Sequence, residues 1–334
     1  MEFETDEDRK SPKMRTDPPA LSFILVVGDQ RERAGHALGS ILRQEGIERA
    51  EVLVFDAGAE SHSPVAGCNH PAVQLLPRTR SSAFGELRAE GVRRARADLV
   101  AFLEDHCVLS PGFLKVILEA FQGPWSAVGG KCLNANPGVG ASNLMAVTNY
   151  GMWMGTVTKG EVALVPGNNS AYRRAALLAY GPKMVPLLTT DMVLQLRLRA
   201  DGHRFLLDPA ARFGHLSEVS LYSAAGAMFH YHRCMGQARA AALGWSTLRT
   251  VKYLVQSAAI PWVRTWRTVL LSTGQLGRSL GWALRHVPAM LVLFHAAALG
   301  QVLGLVFGAG LSPGRLTWYE IFDRRPGYDP TVVE

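Results

Sequence analysis

The chain of 334 residues has only four cysteines, Cys68, Cys107, Cys132 and Cys234, which are widely spaced and form no CxxC pair. Their scarcity excludes a small disulfide-stabilised secreted module and a cysteine-rich structural zinc site, and it fits a reducing compartment. Charged residues make up only 19% and hydrophobic residues 48%, which excludes a coiled coil and a wholly disordered chain. Residues 1–20 lack the apolar run of a signal peptide, and we predict a flexible tail there.

Acidic residues are almost absent between Arg212 and Tyr319, where ten lysines and arginines accompany one acid, Glu218. A basic stretch of this kind suits nucleic acid, anionic lipid or a phosphorylated substrate. The cations lie around apolar, helix-like segments, and no recognisable nucleic-acid-binding motif accompanies them. We therefore predict that nucleic acid is not a partner.

Short apolar strands alternate with helical patterns from residue 21 onwards. The pattern predicts strands over 22–27, 51–55, 72–76 and 99–103, separated by helices over 31–44 and 81–96. Such alternation indicates an α/β fold with a mainly parallel sheet flanked by helices. Ligands bind at the carboxyl ends of the strands in such sheets. Polar residues follow three of these strands, at Asp29, at Asp56 and at the triplet 104–106, Glu-Asp-His.

The composition of the last hundred residues differs from that of the preceding part of the chain. Residues 287–311 contain no charge over 25 positions, and about 20 apolar residues suffice to span a bilayer. Small residues recur every fourth position at Ala296, Gly300, Gly304 and Gly308, which suits close helix packing. The segment 251–271 mixes tryptophans with cations around a proline, as a helix in the lipid headgroup region does. The alternative is a helix buried in a protein core.

We predict four regions from these changes in composition. A flexible tail over 1–20 precedes a catalytic domain over 21–245. Amphipathic and transmembrane or interfacial helices follow over 246–315, and a C-terminal tail covers 316–334. The basic flanks Arg285 and Arg315 of the apolar segment predict that the catalytic domain faces the cytoplasm, with anionic membrane lipid as a partner.

The triplet Glu104, Asp105 and His106 is the first candidate for chemistry. Carboxylate oxygens with one imidazole suit Mn2+ or Mg2+, and substrate phosphates complete the shell. Acids after a strand are also common as helix caps, so the triplet alone leaves both interpretations open.

Four segments in order resemble the family-2 glycosyltransferases, which are inverting enzymes with the GT-A fold. They are FDAGA, which contains Asp56, RAEGVRRARADLVAFLEDH, VPGNNSAYRRAAL and TTDMVLQLRLRADGHRF. The likeness runs from about Leu21 to Gly244. It implies a Rossmann-like GT-A domain, a nucleotide-sugar donor with a UDP-sugar expected, and a divalent cation, Mn2+ or Mg2+.

The resemblance also implies roles for single residues. Asp191 stands at the general base, while Glu104, Asp105 and His106 stand at the metal-binding DxD motif, which His215 supplements. The residues implied in nucleotide-sugar binding are Asp29, Asp56, Arg88, Asp105, Asn168, Asn169, Arg233 and Arg239. The sequence departs from the family where Glu and His replace the outer aspartates of DxD, and where Thr190 replaces an acid before Asp191.

Without the resemblance, several of these residues have plainer interpretations. Asp56 is also a turn residue before Gly58, and Arg88 is also one charge on a solvated helix face. Asn168 and Asn169 are also helix-capping residues, a role compatible with substrate contact.

The predicted function is inverting transfer of a sugar from a nucleotide-sugar donor to a lipid-linked or polysaccharide acceptor at the cytoplasmic face of the inner membrane. Two alternatives stay open. One is a polyprenyl-phosphate sugar synthase, whose acceptor is the lipid phosphate itself. The other is a degenerate subunit that binds nucleotide sugar without transferring it.

Overall fold

Nine strands form one sheet in the computed structural model, which describes residues 17–60, 62–323 and 332. Most of the predicted tail over 1–20 thus lies outside the described residues. The strands are β1 (Leu21–Val27), β2 (Ala50–Asp56), β3 (Val73–Pro77), β4 (Leu99–Glu104), β5 (Cys107–Leu109), β6 (Ala127–Asn134), β7 (Gly160–Val162), β8 (Ser170–Arg173) and β9 (Phe205–His215).

Helices flank this sheet and continue beyond it. They are α1 (Arg31–Leu42), α2 (Phe84–Arg94), α3 (Phe113–Ala120), α4 (Ser142–Tyr150), α5 (Arg174–Leu178), α6 (Met184–Thr189), α7 (Asp191–Ala200), α8 (Leu221–Ala242), α9 (Thr247–Gln256), α10 (Ile260–Thr273), α11 (Leu280–Arg285), α12 (Val287–Phe307) and α13 (Ser312–Thr317). A π-helical turn, Trp318–Phe322, follows α13. Ser220, Ser246 and Ser279 begin α8, α9 and α11, because each side chain accepts a hydrogen bond from a backbone N–H of the first turn.

The sheet has a parallel half and a mixed half. Its order is β3-β2-β1-β4-β8-β6-β9-β5, with β7 paired to β9. The first four strands are parallel, as predicted, and β1 is buried along its whole length because helices cover both of its faces. In the other half only β6 and β9 are parallel. Two residues separate β4 from β5, too few for the crossover that a parallel neighbour requires.

The register brings the predicted polar residues to one edge of the sheet. Val27 of β1 lies beside Asp56 at the end of β2, and Val26 lies beside Glu104 at the end of β4. His215 ends β9 and pairs with Cys107 of β5, so that it arrives at the same edge from the mixed half. Strand ends from both halves of the sheet therefore build one site.

The apolar helix α12 packs along α8. It is the one helix of the described residues that is long and apolar enough to cross a membrane, and 44% of its most apolar stretch is buried. A Cβ atom at Gly300 would lie 2.2 Å from the carbonyl oxygen of Phe229, and one at Gly304 would lie 2.0 Å from that of Arg233. The small residues predicted for close helix packing thus bring the two helix backbones into contact within this chain.

Residues 316–323 fold back onto the catalytic part of the chain, where we predicted a tail. Leu316, Ile321 and Phe322 are buried in the core beneath the parallel half of the sheet. Their apolar side chains explain the difference, because leaving them in water would forfeit the free energy of burial. The rest of that predicted tail lies outside the described residues, apart from Val332.

Candidate active site

The carboxylate of Glu104 is the centre of the site. It ends β4 and is buried, and its oxygens accept hydrogen bonds from the side chains of Asn169 (2.7 Å), Asn168 (2.9 Å) and Tyr150 (3.0 Å). Arg88 donates to the side-chain oxygen of Asn168 at 2.6 Å, and the backbone N–H of Glu104 donates to that of Asn169 at 3.1 Å, so that both amides are held in this orientation. The structure therefore brings four of the predicted site residues together, namely Glu104, Arg88, Asn168 and Asn169.

Two imidazoles complete a cluster of metal-ligating groups around this carboxylate. The Nε2 atoms of His106 and His215 each lie 3.6 Å from Oε2 of Glu104. With the thiol of Cys107, the ligand atoms of the buried group all lie within 4.8 Å of one another. A carboxylate with imidazoles suits a first-row divalent cation, so the residues present fit the metal that the resemblance implies.

Asp105 lies outside this cluster. Its carboxylate forms a buried ion pair with Arg33 at 2.9 Å, and it lies within hydrogen-bond distance of Nδ1 of His106 at 3.1 Å. A metal-binding histidine is commonly oriented by a partner on its other ring nitrogen. The middle residue of the triplet is thus placed to orient His106.

Asp191 begins α7 and lies across the cleft from the cluster. Its Oδ1 accepts a hydrogen bond of 2.7 Å from the hydroxyl of Tyr231 on α8. Burial raises the pKa of Asp191 above the ordinary aspartate value, while the Tyr231 hydroxyl opposes that rise. A carboxylate with a raised pKa is a stronger base than a solvated one, which suits proton abstraction.

Glu104, His215 and Asp191 line one cleft of about 160 Å3. Tyr150, Tyr231 and Arg264, which the sequence did not identify as site residues, also line it, as does Trp153, for which core packing was favoured over contact with a sugar ring. A larger cavity of about 950 Å3 lies between α5–α7 and α8, and none of the predicted site residues lines it.

Arg264 reaches the cleft from α10. Its Nη1 donates to Nε2 of His232 at 3.0 Å, and its guanidinium lies 4.4 Å from the ring centre of Phe294. Within 17–60 and 62–323, no carboxylate forms an ion pair with it. Burial and this cation lower the pKa of His232 to about 3, so that the imidazole is neutral.

Asp29 and Asp56 lie at the carboxyl ends of β1 and β2, on the nucleotide side predicted for them. Asp56 pairs with Arg31 at 2.7 Å and also accepts from the backbone N–H of Gly58. Asp29 pairs with Arg80. Both carboxylates thus lie in ion pairs with arginines at the sheet edge.

Arg233 and Arg239 are not brought to the cleft. Arg233 donates from Nε to the carbonyl oxygen of Gly308 at 3.0 Å. Arg239 stacks over the rings of Trp245 and Tyr253, at 5.1 and 5.4 Å from their centres. In this structure both side chains hold C-terminal segments against α8.

Comparison with known proteins agrees with this geometry. Residues 18–230, more than half of the chain, match the family described as Glycosyltransferase like family 2. The fold is similar to that of the mannosyltransferase PcManGT from Pyrobaculum calidifontis, solved in complex with GDP-Man and Mn2+. That match has a TM-score of 0.52 at 14% identity and covers 87% of this chain and 88% of that chain. No curated protein matches the sequence. The predicted family and fold class are confirmed: the chain belongs to glycosyltransferase family 2 and is a glycosyltransferase with the GT-A fold.

Proposed function

We propose that this enzyme transfers a sugar, with inversion, from a nucleotide-sugar donor to an acceptor hydroxyl in the cleft. The observation that carries the proposal is the shared cleft, which is lined by the base Asp191 on one side and by Glu104 and His215 on the other. The solved neighbour contains GDP-Man and Mn2+, and a UDP-sugar is the donor expected from the family resemblance. The donor base is therefore a question for experiment.

Mn2+ suits the cluster better than Mg2+, because two of its ligands are imidazoles and Mg2+ prefers oxygen. Glu104, His106 and His215 would hold the ion, with Asp105 orienting His106. When bound, such an ion supplies positive charge that stabilises the departing diphosphate. In this proposal Asp29 and Asp56 would contact the nucleoside, and Arg88, Asn168 and Asn169 the sugar and its phosphates.

Asp191 performs the proton transfer in this proposal. Its Oδ2 faces Gly167, where a Cβ atom would lie 2.5 Å from that oxygen, so the absent side chain leaves room for the carboxylate. The carboxylate removes the proton of the acceptor hydroxyl as that oxygen attacks the anomeric carbon. Tyr231 holds Oδ1 and so fixes the direction of Oδ2. A single attack opposite the leaving diphosphate inverts the anomeric configuration.

Tyr231→Phe tests the base through its pH dependence. The lost hydrogen bond stabilised the ionised carboxylate, so its removal raises the pKa of Asp191 further. We expect the acid limb of the rate-against-pH profile to move to higher pH, with a smaller loss of rate on the alkaline side. The control Tyr222→Phe, on an exposed ring of α8, leaves the profile in place. An unshifted acid limb in Tyr231→Phe would contradict the assignment.

We further propose that the acceptor is carried by a lipid and that the enzyme docks on the cytoplasmic face of the inner membrane. Large apolar side chains are exposed on each of the helices α9–α12, which we call the α9–α12 surface. Trp262 and Trp266 of α10 are 59% and 63% exposed, and exposed cations on α9 and α10 accompany them. Tryptophans beside cations suit the headgroup region of an anionic leaflet. Because α12 packs along α8, we favour docking by this surface over a full span.

Replacing both tryptophans by alanine tests the docking. The double variant Trp262→Ala, Trp266→Ala should bind phosphatidylglycerol vesicles at least about tenfold more weakly in co-sedimentation. Each tryptophan that enters the membrane should contribute at least about 1 kcal/mol to the binding free energy. The control Tyr222→Ala removes an exposed aromatic of α8 and should leave binding unchanged. Equal binding by all three proteins would contradict docking through the α9–α12 surface.

Arg264 favours a second candidate within the same chemistry, a polyprenyl-phosphate sugar synthase. Its guanidinium lines the same cleft as Asp191, lies on a helix of the α9–α12 surface and pairs with no carboxylate among the described residues, which suits the phosphate of a lipid acceptor. Farnesyl phosphate and farnesol, offered in turn as acceptors, separate the two candidates. Glycosylation of the phosphate alone would favour the synthase.

Isothermal titration with UDP and GDP, each with Mn2+ or EDTA, tests the donor site. Binding of one nucleotide that is lost in EDTA supports the proposal. Binding without any transfer would instead support the non-transferring subunit.

A further inference from the structure

Residues 318–323, called the strap below, cross the carboxyl ends of β1 and β4. The carbonyl oxygen of Ile321 lies so close to Gly28 that a Cβ atom there would be 2.2 Å from it. Gln30 donates to the carbonyl oxygen of Phe322 at 3.4 Å. Gly28 and Gln30 flank Asp29, so the strap lies directly on the predicted nucleotide side of the site.

Two arginines hold the strap over this edge. Arg33, which also pairs with Asp105, donates to the carbonyl oxygens of Asp323 (2.8 Å) and Glu320 (3.2 Å). Arg80, which pairs with Asp29, lies 4.1 Å from the ring centre of Phe322. The same cations thus contact both the strap and the acids of the sheet edge.

The strap is also anchored on α8. Ser223 donates from its hydroxyl to the carboxylate of Asp323. Tyr319 packs against Gly226, where a Cβ atom would lie 2.1 Å from its hydroxyl oxygen. His230 stacks on the ring of Tyr319 with 6.0 Å between centres. These anchors lie outside the cluster of Glu104, His106 and His215.

Among the described residues, the space next to the strap is too small for a nucleotide. Between Arg88, Asp105, Glu320 and Ile321 only a void of about 10 Å3 is left. The adjoining cleft at Asp191 has about 160 Å3, whereas ligand sites commonly have about 300 to 1,000 Å3. The strap therefore leaves too little room for a nucleotide beside Arg88 and Asp105, and its contacts with Gly28 and Gln30 cover the sheet edge next to Asp29.

We propose that the strap is an autoinhibitory segment that competes with the nucleotide for the carboxyl ends of β1 and β4. Donor binding displaces Ile321 and Phe322 from this edge and releases Arg33 and Arg80 to the incoming phosphates. The inference rests on the proposed function. The apparent dissociation constant is then the intrinsic one divided by the fraction of molecules with the strap displaced. Loosening the strap without touching the nucleotide site should tighten binding.

Two variants on α8 loosen it. Ser223→Ala removes the hydrogen bond to Asp323, and Gly226→Ala pushes against Tyr319. The matched control is Gly281→Ala on α11, where a Cβ atom would meet nothing within 4 Å. Titration of each full-length protein with UDP and GDP in Mn2+ should give dissociation constants about fivefold lower for both loosened variants and unchanged for the control. If the strap only stabilised the fold, the two variants would bind the nucleotide more weakly than the wild type or with the same dissociation constant.

Hydrogen exchange gives a second readout on the unaltered protein. Amides of residues 318–323 should exchange faster when UDP or GDP is bound with Mn2+, because the strap has left the sheet edge. Slower exchange with nucleotide, or unchanged dissociation constants in both folded variants, would overturn the proposal while leaving the donor site intact. Binding of no nucleotide by the wild type or any variant would contradict the proposed function itself.

Discussion

Asp191→Asn should lower the rate of sugar transfer by about 10²- to 10⁴-fold, the usual contribution of a general base. Asparagine keeps an oxygen for the hydrogen bond from Tyr231 and fills the same space at the start of α7. The variant loses only the capacity to take a proton from the acceptor hydroxyl. Release of nucleoside diphosphate from the donor, measured with purified protein and acceptor, checks this.

The variant should lose the transfer step and keep nucleotide binding. The dissociation constant for nucleotide with Mn2+ should stay within about twofold of the wild type, because Asp191 lies on the acceptor side of the cleft. Asp98→Asn, at an exposed aspartate before β4, is the control and should keep the wild-type rate. Transfer by Asp191→Asn at a near-normal rate would rule Asp191 out as the base.

Glu104→Gln should weaken Mn2+ binding by about a hundredfold or more, since even the partners of metal ligands contribute 10- to 100-fold. The carboxylate lies 3.6 Å from Nε2 of both imidazoles, and it also accepts from Asn168, Asn169 and Tyr150. Glutamine replaces one acceptor oxygen by an NH2 group. That group cannot accept the hydrogen bonds that Tyr150, Asn168 and Asn169 donate to the carboxylate. Titration of Mn2+ followed by electron paramagnetic resonance measures the affinity.

Glu119→Gln, on the exposed face of α3, serves as the matched control and should bind Mn2+ as the wild type does. Thermal unfolding of both variants separates a lost ligand from a lost fold. If Glu104→Gln folds and binds Mn2+ with unchanged affinity, the metal centre does not include this carboxylate.

The strand ends were predictable because each buried strand is a short run of apolar residues that can be recognised in the sequence. Apolar runs before Asp56 and Glu104 indicated two parallel strands, and parallel strands place their carboxyl ends at one edge. His215 required the family resemblance, because its position beside Cys107 depends on the pairing of β5 with β9. No local sequence pattern near residue 215 indicates that pairing.

The partners of the site residues were not predictable in the same way. Tyr231 meets Asp191 only because α8 packs beside α7, and a tyrosine on a helix is equally common in a core. Arg33 looks like a solvated charge within α1, yet it is buried because residues 318–323 cover it. The small residues of α12 indicated close helix packing, but the sequence did not show which helix would be the partner. In the structure the partner is α8, where Gly236 lies against the backbone of Gln301.

The measurement that tests the central claim most directly is nucleoside diphosphate release from UDP- and GDP-sugars. The protein is bound to anionic vesicles that contain a lipid acceptor, with Mn2+ or with EDTA. The proposed mechanism predicts release from one donor class that requires Mn2+ and acceptor and that disappears in Asp191→Asn. Release that persists unchanged in Asp191→Asn, or no release from any donor, would contradict transfer by this cleft.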